Sequence, residues 1–194
     1  MIAKGNPEWE EIKPQVSPEA EFLEIVNDFG DPLEILREAI SNSIDAHATW
    51  LKIGFDVKEI DGSTRSVITI ADNGDGMTKD VLSKDFWGLG FSRSRERNDA
   101  IGEKGHGTKI YLRSENVRVR TQTKESAYES MCFRPLASLS RKEMHAPKWR
   151  TAEPFWPHTG TEIEIIGYNH DERSKFVLDV VVDYLQWRTA LVHE

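Results

Sequence analysis

The chain has 194 residues, 38% of them hydrophobic, and a net charge of −8. That is enough apolar material for one buried core, and the acidic balance argues against a chain-wide basic surface that would track nucleic-acid phosphates. A single cysteine, Cys132, excludes an internal disulfide and a cysteine-clustered zinc site, and suits a reducing, cytoplasmic setting.

Residues 1–16 read as an N-terminal extension. The opening stretch MIAKGNPEWEEIKPQ has no apolar run of the signal-peptide kind, and no segment is long enough to span a bilayer, so a soluble protein is expected. A first helix follows, with Ser17 as its cap, Pro18 at its first position and Gly30 as its stop. Asp31 and Pro32 repeat the start signal, and apolar periodicity predicts a second helix to about Ala46. TWLKIGFDVK and RSVITIA, joined across EIDGST, read as two strands and a turn. The stretch 77–109 mixes glycine and charge with few periodic apolar positions and reads as a long lid. NVRVRTQT, SAYESMCFRP and GTEIEIIGY are three further strands, segment 135–158 is irregular, and KFVLDVVVDYLQWRTALVHE is a closing helix. Helices followed by a hairpin-connected sheet predict an α+β two-layer sandwich with a mixed, mostly antiparallel sheet and helices on one face. One domain over 1–194 is expected, as the N-terminal module of a longer protein.

The second helix holds LREAISNSIDAHAT. At about 100° per residue, Ile35, Ala39, Ser43 and Ala46 share one side, while Glu38, Asn42 and Asp45 cluster within roughly 60° beside them. By itself such a trio reads as a solvated flank. In IADNGDGMT a β-rich run ends in Asp72, followed by Gly74 and Gly76, which let the backbone turn sharply and approach a ligand. The later ligands and closing glutamate of an EF-hand loop are absent, which sets calcium aside. In IGEKGHGTKIY a GxxGxG spacing permits successive backbone N–H groups to converge on an anion. Neither the Rossmann GxGxxG after a strand nor the P-loop GxxxxGK[ST] occurs.

Taken in order, REAISNSIDA, DNGDGM, IGEKGHG and TGTEIEI resemble the motif set of the GHKL ATPases, the superfamily of gyrase, Hsp-class chaperones, histidine kinases and MutL. The likeness spans about residues 31–167 and is closest in appearance to the chaperone-, MutL- and MORC-like branches. It implies the Bergerat fold, with ATP and magnesium between helices and a lid. By that resemblance Asn42 ligates the magnesium, Asp72 reads adenine with help from Thr161, and Gly74, Gly76 and Met77 shape the base pocket beside Ala46. Gly102, Gly105 and Gly107, with the backbone N–H groups of His106 and Thr108, wrap the phosphates. Lys104 adds a charge there or is a solvated lid lysine, and Asp45 is a supporting hydrogen-bonding group.

Relatives that hydrolyse ATP carry a glutamate four residues before the asparagine, which makes Glu38 the expected general base. Arg93, Arg95 and Arg97 in the lid receive no role. The resemblance implies an ATPase, slow in isolation, whose nucleotide cycle drives closure of a homodimer in the full-length protein, with its client unassigned. The alternatives are a histidine-kinase-like protein kinase domain and an ATP-binding switch that never hydrolyses.

Overall fold

The structure is a computed structural model that describes residues 11–89 and 107–190, the side chains of 187–190 excepted. Helix α1 spans Pro18–Asp28, capped by the Ser17 hydroxyl, which accepts from Ala20 N. It buries Phe22, Ile25 and Val26. Helix α2 spans Glu34–Asp45. Its entry is a reciprocal cap: Asp31 Oδ1 accepts from Leu33 N, and Glu34 Oε1 accepts from Asp31 N, each at 3.1 Å. The start signal therefore lies where the sequence suggested, but residues 31–33 form a turn ahead of the helix proper.

Strands β1 (Leu51–Ile60) and β2 (Ser63–Asp72) meet across Asp61 and Gly62, with φ of 50° and 72°. Two residues of positive φ make a turn whose twist matches that of the strands, so the hairpin extends to the turn itself and absorbs Glu59, Ile60, Ser63 and Thr64. With β3 (Asn116–Gln122), β4 (Ala127–Phe133), β5 (Lys148–Ala152) and β6 (Gly160–Ile166), the sheet runs β1-β2-β6-β3-β4-β5. Every neighbouring pair among the described residues is antiparallel, where a partly mixed sheet was expected.

Register decides what each face carries. Ile68, Ile165, Val117 and Cys132 lie opposite one another across four strands, and Ile70, Ile163 and Val119 form the next row. These rows face α1, α2 and a 3₁₀ helix at Gly107–Leu112, and together they make the core with Phe22, Val26, Ile35, Leu36, Ala39, Ile110 and Leu112. The third row is polar: Asp72, Thr161 and Thr121. The opposite face is charged, with Lys58 on Glu164 at 2.6 Å and Arg120 on Glu162 at 2.5 Å. Both Arg118 and Arg150 reach Glu129 there. Such partly exposed pairs contribute little stability and chiefly keep that face wet.

Three elements depart from the sequence reading. Within the expected lid, Val81–Phe86 form a π-helical turn, closed by Trp87 N donating to Leu82 O at 3.2 Å, and Leu82, Phe86 and Trp87 are buried. A π turn breaks the 3.6-residue spacing that periodicity detects. The irregular segment holds helix α3 (Pro135–Ser140), entered through Arg134 at φ 49°, and the edge strand β5, whose KWRTA lacks apolar alternation. Helix α4 (Leu178–Ala190) closes the described chain, and among the described residues no helix is long and apolar enough to cross a membrane.

Ile165, fully buried in the centre of the first row, is the natural probe of this core. Ile165→Ala is expected to cost about 2–5 kcal/mol, measured as a lower denaturant midpoint at unchanged slope.

Candidate functional site

Asp72 is the last residue of β2, and its place in the third row turns its side chain to the helix-covered face. Burial pushes its carboxyl above the ordinary range; the N–H groups of Gly74 and Thr161, the Ser43 hydroxyl and the charge of His158 oppose that shift. The Gly74 bond measures 2.8 Å to Oδ1. The chain then turns through a space with no room for side chains. A Cβ on Gly74 would lie 2.6 Å from Ala46 O, and one on Gly76, where φ is 71°, would lie 2.1 Å from Gln122 O. Asp75 N donates to Ala46 O at 2.8 Å, which ties the turn to the end of α2. Met77 N donates to Thr121 Oγ1 at 2.7 Å, and Thr121 Oγ1 lies 3.0 Å from Thr161 Oγ1. The residues expected from the sequence to read the base, Ala46, Asp72, Gly74, Gly76, Met77 and Thr161, thus lie together, with Asp72 hydrogen-bonded to Gly74 and Thr161, and Thr121 between Met77 and Thr161.

Beside it, α2 supplies Glu38 and, one turn later, Asn42. Glu38 is buried, and its carboxyl is raised by desolvation, with Arg37 opposing and Glu34 adding to the rise. Arg37 Nη2 reaches Oε1 at 2.5 Å. The other oxygen faces Gly107 so closely that a Cβ there would sit 1.7 Å from Oε2. Asn42 is exposed, and its Nδ2 is 3.5 Å from the hydroxyl of the buried Tyr111. With Nδ2 on that hydroxyl, Oδ1 is the atom left for another partner. Thr108 Oγ1 donates to Phe86 O at 3.0 Å.

Asp45 is the expected supporting hydrogen-bonding group. It is exposed at the end of α2, and Ala46, the next residue, makes the contact with the glycine turn. Gly102, Lys104, Gly105 and His106, together with Arg93, Arg95 and Arg97, lie outside the described residues. Four contributors escaped the sequence reading: Arg37 on Glu38, Ser43 on Asp72, Tyr111 on Asn42, and Thr121 between Met77 and Thr161. A signal existed for Thr121, since it falls at the inward register of VRVRTQ, but its partner is visible only once β3 is paired with β6.

A six-stranded antiparallel sheet under helices, with a buried strand-end aspartate, tight glycine turns and a Glu-x-x-x-Asn helix, defines a nucleotide-binding α+β module. The chain belongs to the histidine kinase-, DNA gyrase B- and HSP90-like ATPase family, whose model matches residues 32–154. That match runs from the cap of α2 past β5 and stops short of β6, which carries Thr161. The chain is also similar to the DNA mismatch repair protein MutL of Streptococcus uberis, at 25% identity over 153 residues, covering 75% of this chain and 21% of the relative. Its likeness to MutL of Streptococcus pyogenes serotype M5 is 23% over 175 residues, covering 84% and 24%. The chain therefore spans less than a quarter of the length of these curated relatives. Membership of this family implies ATP binding.

Two glycine substitutions separate backbone from side-chain crowding. At Gly76 the obstacle is a strand carbonyl and φ is positive, so Gly76→Ala is expected to destabilise the fold by about 2 kcal/mol or more, read as a lower melting temperature. At Gly107 the obstacle is the movable end of Glu38. Gly107→Ala is expected to leave the melting temperature within a few degrees and to displace the Glu38 carboxylate in a crystal structure.

Proposed function

We propose that the chain is a magnesium-dependent ATPase module that hydrolyses ATP to ADP and phosphate, with turnover slow in isolation and closure of a homodimer driven by the nucleotide in the larger protein. The observation that carries this reading is the buried Glu38, one helical turn before Asn42 and against Gly107.

Asp72, dehydrated and held by fixed N–H donors, accepts from the exocyclic amine of adenine, with Thr161 assisting. Gly74, Gly76 and Met77 form the wall on which the base lies. Asn42 offers its oxygen to the magnesium; a hard cation that keeps waters and phosphate oxygens needs few protein ligands, so one amide fits. Magnesium supplies charge neutralisation at the phosphates. Gly107 and the N–H of Thr108 close one side of the phosphate site, joined by Gly102, Gly105 and His106, with Lys104 as added charge. Glu38 takes the proton of the attacking water. Its elevated affinity for a proton suits a base that works near neutral pH, and Arg37 keeps it ionised enough to act. Phosphoryl transfer needs little covalent help, so positioning and charge carry most of the rate. Release of free phosphate without added protein separates this reading from a kinase, and its absence despite bound ATP would favour a switch.

Two substitutions test the roles. Glu38→Gln is expected to lower kcat about 100-fold or more while calorimetry shows ATP bound as before; retained turnover removes Glu38 as the base. Because the base acts deprotonated, kcat falls as pH drops through the raised Glu38 pKa. Arg37→Ala removes the cation that lowers that pKa and should shift this acid limb to higher pH. Asp72→Asn keeps an oxygen for Gly74 N but sets an N–H against the adenine amine. It is expected to weaken ATP binding at least about tenfold, in line with about 1.5–3 kcal/mol for a hydrogen bond to a charged group.

A further inference from the structure

Lys109 stands in the middle of the 3₁₀ helix Gly107–Leu112 and is fully buried. Taking an ammonium out of water is costly unless its donors are all used. Here they are: Lys109 Nζ donates to Asp85 O at 2.8 Å, Phe86 O at 2.9 Å and Thr108 Oγ1 at 2.7 Å. The two carbonyls end the π turn Val81–Phe86, and the Thr108 hydroxyl itself donates a hydrogen bond to Phe86 O. Two ammonium donors and one relayed hydroxyl thus fasten two segments separated by more than twenty residues of chain. A leucine or methionine would fill much of this volume without the desolvation cost but could not tie those carbonyls.

What the fastened helix touches gives the lysine its significance. Gly107, two residues before it, packs on the Glu38 carboxylate, and Tyr111, two residues after it, meets the Asn42 amide. One short helix therefore contacts both members of the Glu38–Asn42 pair from opposite ends, and its anchor is the buried ammonium at its centre. Burial lowers the ammonium pKa to about 7, with the Asp85 carboxylate opposing. His145, in the segment between α3 and β5, also senses the Lys109 charge, and burial keeps that imidazole below its ordinary pKa.

We infer that Lys109 is a positioning residue: by clamping the helix Gly107–Leu112 to the turn Val81–Phe86 it holds Gly107 against Glu38 and Tyr111 against Asn42 in the geometry hydrolysis needs. This rests on the hydrolytic reading above. Small displacements of a catalytic group cost rate more than binding, so the lysine governs kcat and leaves ATP affinity nearly untouched.

The test uses the whole chain and begins with the unsubstituted protein, because absent phosphate release there refutes hydrolysis itself, independently of Lys109. Lys109→Met is then compared by hydrogen exchange without nucleotide, by ATP calorimetry and by turnover. Expected are amide exchange accelerated about tenfold or more in both 81–87 and 107–112 with the sheet unchanged, ATP affinity within about threefold, and kcat lowered about tenfold or more. Unchanged exchange overturns the clamp whether or not the protein hydrolyses ATP, and kcat unchanged, or falling only in step with affinity, overturns the positioning role. Should Lys109→Met fail to fold, Thr108→Val and Thr108→Ser decide. Valine removes the relayed hydroxyl and serine restores it, so a kcat loss in the first that is recovered in the second supports the inference, and equal behaviour overturns it.

Discussion

Asp72 sits at the third rung of a cross-strand ladder whose first two rungs are aliphatic, and the loss of water at that rung constrains everything around it. A carboxylate there must be met by donors, and the fold supplies them from three directions: the glycine turn that follows it, the neighbouring strand β6, and the hydroxyl of Ser43 on α2. The same demand explains why the inward register changes from Ile163 to Thr161 and from Val119 to Thr121 at one level of the sheet. A valine pair in that row would leave Met77 N without its acceptor. The apolar rows hold the sheet to the helices, and the polar row they terminate in is thereby placed under α2.

Glu38 and Asp72 are both acids raised by desolvation, yet their surroundings differ. Asp72 is held by fixed N–H groups and a buried hydroxyl, which leaves little freedom and suits recognition of a planar base. Glu38 has a half-exposed arginine as its ion-pair partner and a bare glycine backbone on its other side. A carboxylate with one flexible cation beside it can gain and lose a proton at modest cost, whereas one locked in a hydrogen-bonded turn cannot. Two acids with contrasting partners are what the proposed division between base recognition and proton transfer requires.

Much of this was legible before any coordinates. The caps at Ser17 and Asp31, the Asp61–Gly62 hairpin and the strands of alternating valine and isoleucine are local signals, and local physics sets them. The four-residue step from Glu38 to Asn42 and the glycines after Asp72 were legible for the same reason, since one turn of helix and one tight loop are short-range facts. What escaped the sequence depends on distant neighbours or on unusual periods. The turn Val81–Phe86 buries Leu82, Phe86 and Trp87 with π spacing, and β5 is polar because it is an edge strand. Thr121, Tyr111 and Lys109 acquire meaning only through partners forty, sixty-nine and twenty-three residues away. Asp45 ends α2 and is exposed, as is Asn42 three residues before it.

The glycines show how such a site is assembled from backbone. Gly74 and Gly76 admit helix-end and strand carbonyls where any side chain would collide, so that turn is fixed by main-chain contacts. Gly107 instead admits the end of a side chain, and a side chain can move. The half of the cleft around Asp72 is accordingly fixed by backbone, while the half that contains Glu38 is fixed only so far as the helix carrying Gly107 is anchored. Within the described residues that anchor is Lys109, whose Nζ donates to the Asp85 and Phe86 carbonyls of the preceding turn and to Thr108 in its own helix, and no hydrogen bond joins it to Glu38 or Asn42.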